Sequence, residues 1–138
     1  MKYFNYLIYS IIIMAWGLTI LTIYWLVYPY KIITFSKNHG KILTPVVKRG
    51  DALIFQSDFC KYINVGADIT RSFINELTYS QPTFQTNVPV GCDKVKRQIS
   101  VPTTLPPHRY KVQTLYRYQI NPLRVIEYKT FSNEFTVE

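Results

Sequence analysis

The first thirty residues of this chain carry one charged side chain, Lys2, and the next charge is Lys31. Residues 6–28 are almost wholly apolar, and a helix of roughly 20 apolar residues crosses a hydrocarbon layer about 30 Å thick. Pro29 lacks a backbone donor and disfavours helical geometry at the residue before it, so it ends the segment. We therefore predict a transmembrane α-helix within residues 1–30, with the remaining chain on one side of a lipid bilayer.

The flanks of this segment favour an uncleaved anchor over a signal peptide. Aromatic rings prefer the headgroup level of a bilayer, and they gather at both ends of the apolar run. They are Tyr3, Phe4, Tyr6 and Tyr9 at one end and Tyr24, Trp25, Tyr28 and Tyr30 at the other. The small residues of a possible cleavage site, Ala15 and Gly17, are followed by a long further apolar stretch, so we predict that the helix stays as a tether.

Two arguments about the side of the membrane conflict. The bases that follow the helix favour a cytoplasmic domain, since Lys2 alone precedes it. They are Lys31, Lys37, Lys41, Lys48 and Arg49. The two cysteines, Cys60 and Cys92, favour the opposite side, because a disulfide persists in an oxidising compartment. A pair of buried free thiols is the other interpretation. We predict a Cys60–Cys92 disulfide and an extracytoplasmic C-terminal domain.

The pattern changes to that of a β protein after the helix. Residues 31–45 lack sustained periodicity and predict a juxtamembrane spacer, whereas residues 46–138 alternate in the period of β-strands. In the clearest strand, residues 109–120, apolar or aromatic side chains alternate with polar ones, except at Leu115. Further strands are predicted over residues 51–62, 67–79, 95–101, 124–131 and 135–137. Short strands separated by turn residues indicate a mainly β fold, namely a small antiparallel β-sandwich.

Three C-terminal motifs resemble the final hairpin of immunoglobulin-like and fibronectin-like modules. They are Pro106-Pro107-His108-Arg109-Tyr110, Tyr118-Gln119-Ile120-Asn121-Pro122-Leu123-Arg124 and Asn133-Glu134-Phe135-Thr136-Val137. In layout the chain is similar to small single-pass membrane proteins of bacterial or tailed-phage type that carry one such module. The resemblance implies an Ig-like fold and no activity. The chain departs from the antibody pattern, because Cys60 and Cys92 lie close in sequence and no tryptophan lies between them.

The sequence contains none of the Gly-x-Ser-x-Gly, His-Glu-x-x-His or Gly-Lys-Ser/Thr motifs. Its histidines are His39, in the predicted spacer, and His108, in a proline-framed turn. A serine–histidine–acid arrangement around His108 would need partners from elsewhere in the fold. No histidine or further cysteine lies at metal-ligand spacing, so no metal site and no cofactor is predicted. We expect no catalysis, and the alternative is a hydrolase accessory centred on His108.

The charge balance is strongly basic, with sixteen Lys and Arg against eight Asp and Glu. The candidate binding residues are Arg109, Lys111 and Arg117 on the long strand, together with Lys94, Lys96 and Arg97. A basic sheet face attracts anionic lipid, cell-wall polymer or nucleic acid, and the alternative is a solvated face protected against strand aggregation. Alternation places Tyr116 and Tyr118 on the face opposite Arg117, which argues against a nucleic-acid stacking platform.

Together these patterns predict a non-catalytic, membrane-tethered β-sandwich. It would serve as a binding or structural module at the cell envelope or in a virion or membrane assembly. The predicted partners are the lipid bilayer and either a protein or an anionic envelope surface. The alternative is a subunit of a larger membrane complex that pairs with neighbours through exposed strand edges.

Overall fold

The computed structural model describes residues 2–138, with side chains from Tyr3 onward. Helix α1 spans Lys2–Val27. The most apolar part of Tyr3–Val27 has a mean hydropathy of 2.0, and none of its residues is buried against the rest of the chain. The chain therefore has one N-terminal helix that is long and apolar enough to cross a membrane. Met1 and the side chain of Lys2, which belong to the predicted anchor and its charge count, lie outside the described part.

The described residues after the helix form ten β-strands. In chain order they are β1 (Ile33–Phe35), β2 (Val46–Val47), β3 (Ala52–Lys61), β4 (Ala67–Ile74), β5 (Thr78–Ser80), β6 (Phe84–Thr86), β7 (Gly91–Ser100), β8 (His108–Asn121), β9 (Arg124–Phe131) and β10 (Phe135–Val137). One sheet has the order β1-β3-β7. The other has the order β2-β10-β8-β4-β5, with β6 also paired to β4 and β9 to β8. The prediction of a mainly β fold is confirmed.

The pairings are antiparallel apart from one. Strand β2 runs parallel to β10, with Val46 opposite Thr136 and Val47 opposite Val137. The expectation of purely antiparallel sheets is therefore wrong at this edge. The long strand β8 pairs with β4 along one edge and with β10 and then β9 along the other, which makes it the centre of the larger sheet.

The core lies between the two sheets, because each buried cluster draws side chains from both. The first cluster comprises Ile42, Val47, Leu53, Phe55, Phe73, Ile99, Val101, Leu105, Tyr110, Val112, Phe135 and Val137. The second comprises Ile32, Ile33, Phe59, Ala67, Ile69, Tyr116 and Tyr118. The alternation predicted for β8 is confirmed, since its inward side chains are buried from Tyr110 to Tyr118. Period-two patterning is thus what assigns these side chains to the core.

The structure differs from the prediction of a spacer over residues 31–45. Ile32 is fully buried, β1 pairs with the end of β3, and Ile42 belongs to the first core cluster. His39 is also buried. The segment lacks an obvious period because its residues reach the core from a short strand and a loop. The folded domain therefore begins at about Ile32, directly after the helix.

The predicted strand over residues 67–79 is interrupted by a turn. Strand β4 ends at Ile74, and β5 returns beside it with Ser80 opposite Ser72. The side-chain oxygen of Asn75 accepts the backbone N–H of Leu77 at 2.7 Å, which is the local bond by which asparagine favours turns. Leu77, a large apolar residue, is exposed at this turn.

Cys60 and Cys92 lie directly opposite each other in the β3–β7 ladder. Their Cα atoms are 3.9 Å apart, and the two sulfurs form a disulfide, as predicted. The bond therefore joins neighbouring strands of one sheet and does not cross between the sheets. It closes a sequence separation of 32 residues at the end of β3 that lies nearest the helix.

Candidate functional site

The six predicted binding residues do not form one surface. Arg109, Lys111 and Arg117 are exposed on the outer face of β8, in the larger sheet. Lys94 and Lys96 are exposed on the outer face of β7, in the smaller sheet. Because the core lies between the sheets, these outer faces point in opposite directions. The sixth residue, Arg97, lies on the inner face of β7 and lines a cleft.

Two of the long-strand cations have carboxylate partners. Lys111 Nζ lies 3.4 Å from Glu134 Oε1, and an Arg117 nitrogen lies 2.8 Å from Glu127 Oε1. All four groups are about half exposed, and exposed ion pairs of this kind contribute less than about 1 kcal/mol. These pairs offset part of the positive charge of the outer face, and a role for it in binding stays a prediction.

His108 lies at the exposed start of β8. Its Nδ1 accepts the backbone N–H of Arg109 at 2.7 Å, and its ring packs against Tyr110. Among the hydrogen bonds of residues 2–138, none joins His108 to a serine or a carboxylate. The hydrolase alternative centred on His108 stays a prediction.

A cleft of about 50 Å³ lies between the sheets, beside the inner faces of β3, β4, β7 and β8. Most of its lining is aliphatic or aromatic, and Phe84, 40% exposed, marks its rim. Three cationic side chains also line it, Lys61, Arg71 and Arg97. No aspartate or glutamate is among the described lining residues. A core region that holds three cations and no anion is unusual, because proteins pair the charges they bury.

Arg71 extends into the cleft from the inner face of β4. Its guanidinium carbon lies 4.8 Å from the ring centroid of Phe84 and 5.4 Å from that of Phe55, so both rings contribute cation–π attraction. Its Nε is buried and has no hydrogen-bond partner in the described chain. Burial lowers the pKa of Arg71, and the nearby Arg97 lowers it further. The guanidinium stays protonated at neutral pH, because arginine is not deprotonated in proteins.

Arg97 and Lys61 approach the cleft from the smaller sheet. Arg97 lies opposite Phe55 in the β3–β7 ladder, and its Nε is likewise buried without a partner in the described chain. Lys61 is 3% exposed, and its Nζ donates to Asn87 Oδ1 at 3.2 Å and to the Val88 carbonyl at 2.6 Å. Burial lowers the pKa of Lys61. Both acceptors are neutral oxygens, so hydrogen bonding satisfies the ammonium without cancelling its charge.

His39 and Tyr116 form a buried hydrogen-bonded pair next to the cleft. His39 Nδ1 accepts the backbone N–H of Asp58 at 3.1 Å, so Nε2 carries the proton of the neutral ring and donates it to the Tyr116 hydroxyl at 3.0 Å. Burial is the main cause that lowers the pKa of His39, and it raises the pKa of Tyr116. The ring of Phe35 packs against both side chains. This hydrogen bond links the loop between β1 and β2 to strand β8 of the larger sheet.

The end of helix α1 is bonded to the tip of the β8–β9 hairpin. Asn121 Nδ2 donates to the Trp25 carbonyl at 3.1 Å, and a guanidinium nitrogen of Arg124 donates to the Tyr28 carbonyl. The last carbonyls of a helix lack intrahelical donors, so these side chains satisfy groups that would otherwise need water. Lys31 also lies 4.5 Å from the ring centroid of Tyr62. The domain is therefore held against the helix by side chains as well as by the chain itself.

Sequence reasoning did not assign Lys61 or Arg71 to a site and grouped Arg97 with surface bases. A signal was present, because each cation occupies an inward position of an alternating strand. Arg71 falls between Ile69 and Phe73, and Arg97 falls between Val95 and Ile99. A basic residue on the apolar face of a strand is the pattern that would have found this cleft.

No family model and no curated protein matches the sequence. A solved structure of Pseudomonas fluorescens alkylpurine DNA glycosylase AlkC bound to DNA containing an abasic site analog is similar, with a TM-score of 0.46 and 11% sequence identity. The similarity covers 84% of this chain and 33% of that one, so the present chain spans about a third of the length of the glycosylase. A likeness at this level carries no argument about function.

Proposed function

We propose that this protein is a single-pass membrane protein with one Ig-like β-sandwich, which acts as a non-catalytic binding or structural module outside the cytoplasm. Its class would be that of small single-pass proteins of bacterial or tailed-phage type. The observation that carries the proposal is the unburied apolar helix α1 joined without a spacer to a folded β domain. A helix of this length and hydropathy is stable when lipid covers it.

Strand order supports the Ig-like assignment. In immunoglobulin folds, strands A, B and E share one sheet and strands C, F and G the other. The orders β1-β3-β7 and β4-β8, the latter with β9 and β10 on the other side of β8, resemble this division of strands and support the proposal. The tyrosine corner of that fold has a counterpart, since Tyr110, near the start of β8, donates its hydroxyl proton to the Pro106 carbonyl at 2.9 Å.

The helix–domain junction supports membrane attachment. Basic and aromatic side chains surround the end of α1, as expected where a chain leaves a bilayer. Arg124 lies over Tyr30, and Lys31 lies over Tyr62. Their positive charge favours contact with anionic lipid heads. The Cys60–Cys92 disulfide supports an oxidising location for the domain.

Topology and attachment are tested together in intact cells. We expect the full chain to stay in the membrane pellet after alkaline carbonate washing. A membrane-impermeant maleimide should label the wild-type cysteines after external reduction and not before. Added cysteines serve as matched controls: Lys129→Cys, on exposed strand β9, should be labelled in intact cells without reduction, and Lys2→Cys only after lysis. Release by carbonate would contradict the tether, and labelling of Lys129→Cys only after lysis would place the domain in the cytoplasm.

A subunit role in a larger membrane complex is the second candidate. Strand β7 lies at the edge of its sheet, and among the described strands it pairs with β3 alone. A free edge of ten residues is a site where a partner strand adds. The outward Lys94 and Lys96 are the kind of side chain that guards such an edge against aggregation. Native mass measurement after detergent extraction separates the candidates, because a lone tether gives one chain per particle and a complex gives more.

A further inference from the structure

We propose that the cleft between the sheets binds a small oxyanion group, a carboxylate or a phosphate, held between Arg71 and Arg97 and flanked by aromatic rings. This inference rests on the proposed function in so far as the domain is a binding module. It names a site that differs from the exposed bases of β7 and β8. It does not depend on the orientation of the domain in the membrane.

The cleft holds positive charge that no carboxylate of its described lining compensates. Arg71 and Arg97 reach the cleft from opposite sheets, and each holds a buried Nε with no hydrogen-bond partner in the described chain. Besides burial, which lowers the pKa of Arg71, Tyr116 raises it and the neighbouring cation Arg97 lowers it, so no carboxylate is among the groups that act on this guanidinium. Both side chains are half-buried, and holding like charges together in a partly desolvated cleft is costly unless an anion completes the group. An oxyanion between the two guanidinium groups would accept hydrogen bonds from both and cancel their repulsion.

The chemistry of the side chains selects the class of ligand. Guanidinium groups present planar forks that match carboxylate and phosphate oxygens, which is why arginine is common in sites for these groups. Phe55 and Phe84 lie 5.4 and 4.8 Å from the Arg71 guanidinium carbon, so cation–π attraction holds this group in the cleft without using its N–H donors. Lys61 adds a third positive charge at the helix-proximal part of the lining.

The size and lining of the cleft restrict the rest of the ligand. A volume of about 50 Å³ holds an anionic head group and its immediate neighbours, whereas drug-sized molecules need several hundred Å³. The apolar and aromatic walls favour an oxyanion carried on an apolar body over a highly hydrated one. Such a head group has two sources, a soluble carboxylate or the phosphate of a lipid. The test distinguishes them.

The full chain in nonionic detergent is titrated by calorimetry with benzoate, inorganic phosphate and dihexanoyl phosphatidic acid, and its unfolding temperature is measured with each. Benzamide, which has the shape of benzoate without its charge, is the control ligand. We expect saturable binding of at least one oxyanion, a higher unfolding temperature in its presence, and no binding of benzamide. Preference for benzoate would identify a carboxylate, and preference for phosphatidic acid a lipid phosphate.

Variants assign the binding to the cleft. Arg71→Gln and Arg97→Gln should each weaken the affinity by about tenfold or more, because each removes a charged donor. Lys129→Gln, at an exposed base of β9 outside the cleft, should bind as the wild type does. Arg71→Lys keeps the charge without the planar fork and should lie between these limits. Circular dichroism verifies folding, and we expect the glutamine variants to fold, because each removes a repulsive buried charge.

Two results would overturn the inference. One is the absence of saturable oxyanion binding by folded wild-type protein. The other is equal affinity in Arg71→Gln and Lys129→Gln, which would move any binding to the surface. Carbonate extraction and maleimide labelling are measured on the same preparations. Loss of oxyanion binding with intact membrane attachment therefore contradicts this inference alone, and detachment with binding retained contradicts the tether alone.

Discussion

Removal of the cross-strand disulfide should lower the free energy of unfolding of the domain by about 3–4 kcal/mol. The bond closes a loop of 32 residues between Cys60 and Cys92. In the chain-entropy model, closing a loop of that length lowers the entropy of the unfolded chain and thereby stabilises the folded state by about 3.7 kcal/mol at 25 °C. The neighbouring pairs Phe59–Asp93 and Lys61–Gly91 keep the strands in register without the bond, so the loss arises chiefly in the unfolded state. The free energy of unfolding of domains of this size is about 5–15 kcal/mol.

The measurement is urea unfolding of the full chain in nonionic detergent, followed by far-UV circular dichroism and by the near-UV signal of the domain's tyrosines, because both tryptophans lie in helix α1. We expect Cys60→Ser with Cys92→Ser to lower the free energy of unfolding by about 3–4 kcal/mol. Wild-type protein in excess reductant should unfold like this double variant, and reductant should leave the double variant unchanged. A loss below about 0.5 kcal/mol would refute the reasoning, because it would mean that the unfolded chain gains no freedom when the loop opens.

Three further predictions concern single side chains. Tyr110→Phe removes the hydrogen bond to the Pro106 carbonyl and should cost about 1 kcal/mol in urea unfolding, and a change below 0.2 kcal/mol would contradict a stabilising corner. Burial lowers the pKa of His39 below its ordinary 6.5, so His39 takes up a proton in the unfolded chain at a higher pH than in the folded one. The free energy of unfolding should therefore be greatest above about pH 6.5 and fall as the pH drops below that value. The variant His39→Gln should flatten this pH dependence. Arg117→Ala removes an exposed pair with Glu127 and should change stability by less than about 1 kcal/mol, and a larger loss would show that the pair is structural.

The elements that sequence predicted best are β9 and β10, whose bounds match the predicted ranges, and β8, which differs by a residue at each end. Strands β1 and β2 were missed, because β1 lies where the sequence shows no sustained period and β2 has two residues. Their burial depends on pairing with β3 and β10, which are distant in the sequence. Local pattern carries no information about such partners.

The candidate site was only partly accessible to sequence reasoning for a related reason. Alternation alone places Arg71 and Arg97 on inner strand faces, but it does not say that β4 and β7 face each other across the core. The outer bases were found easily, yet their grouping into one surface was not correct, since β7 and β8 belong to different sheets. Composition gives the number of cationic side chains, whereas the strand order of the two sheets determines which of them lie close together.

The sequence by itself determined the apolar helix, the β character of the domain and the alternation of its long strands. These follow from hydrophobicity and side-chain period, which act within a few neighbouring residues. Tertiary structure alone decided the strand order, the disulfide between adjacent strands, the burial of His39 and the meeting of Lys61, Arg71 and Arg97 in one cleft. These depend on contacts between residues far apart in the chain, whose free energy is gained once the two sheets close over a common core.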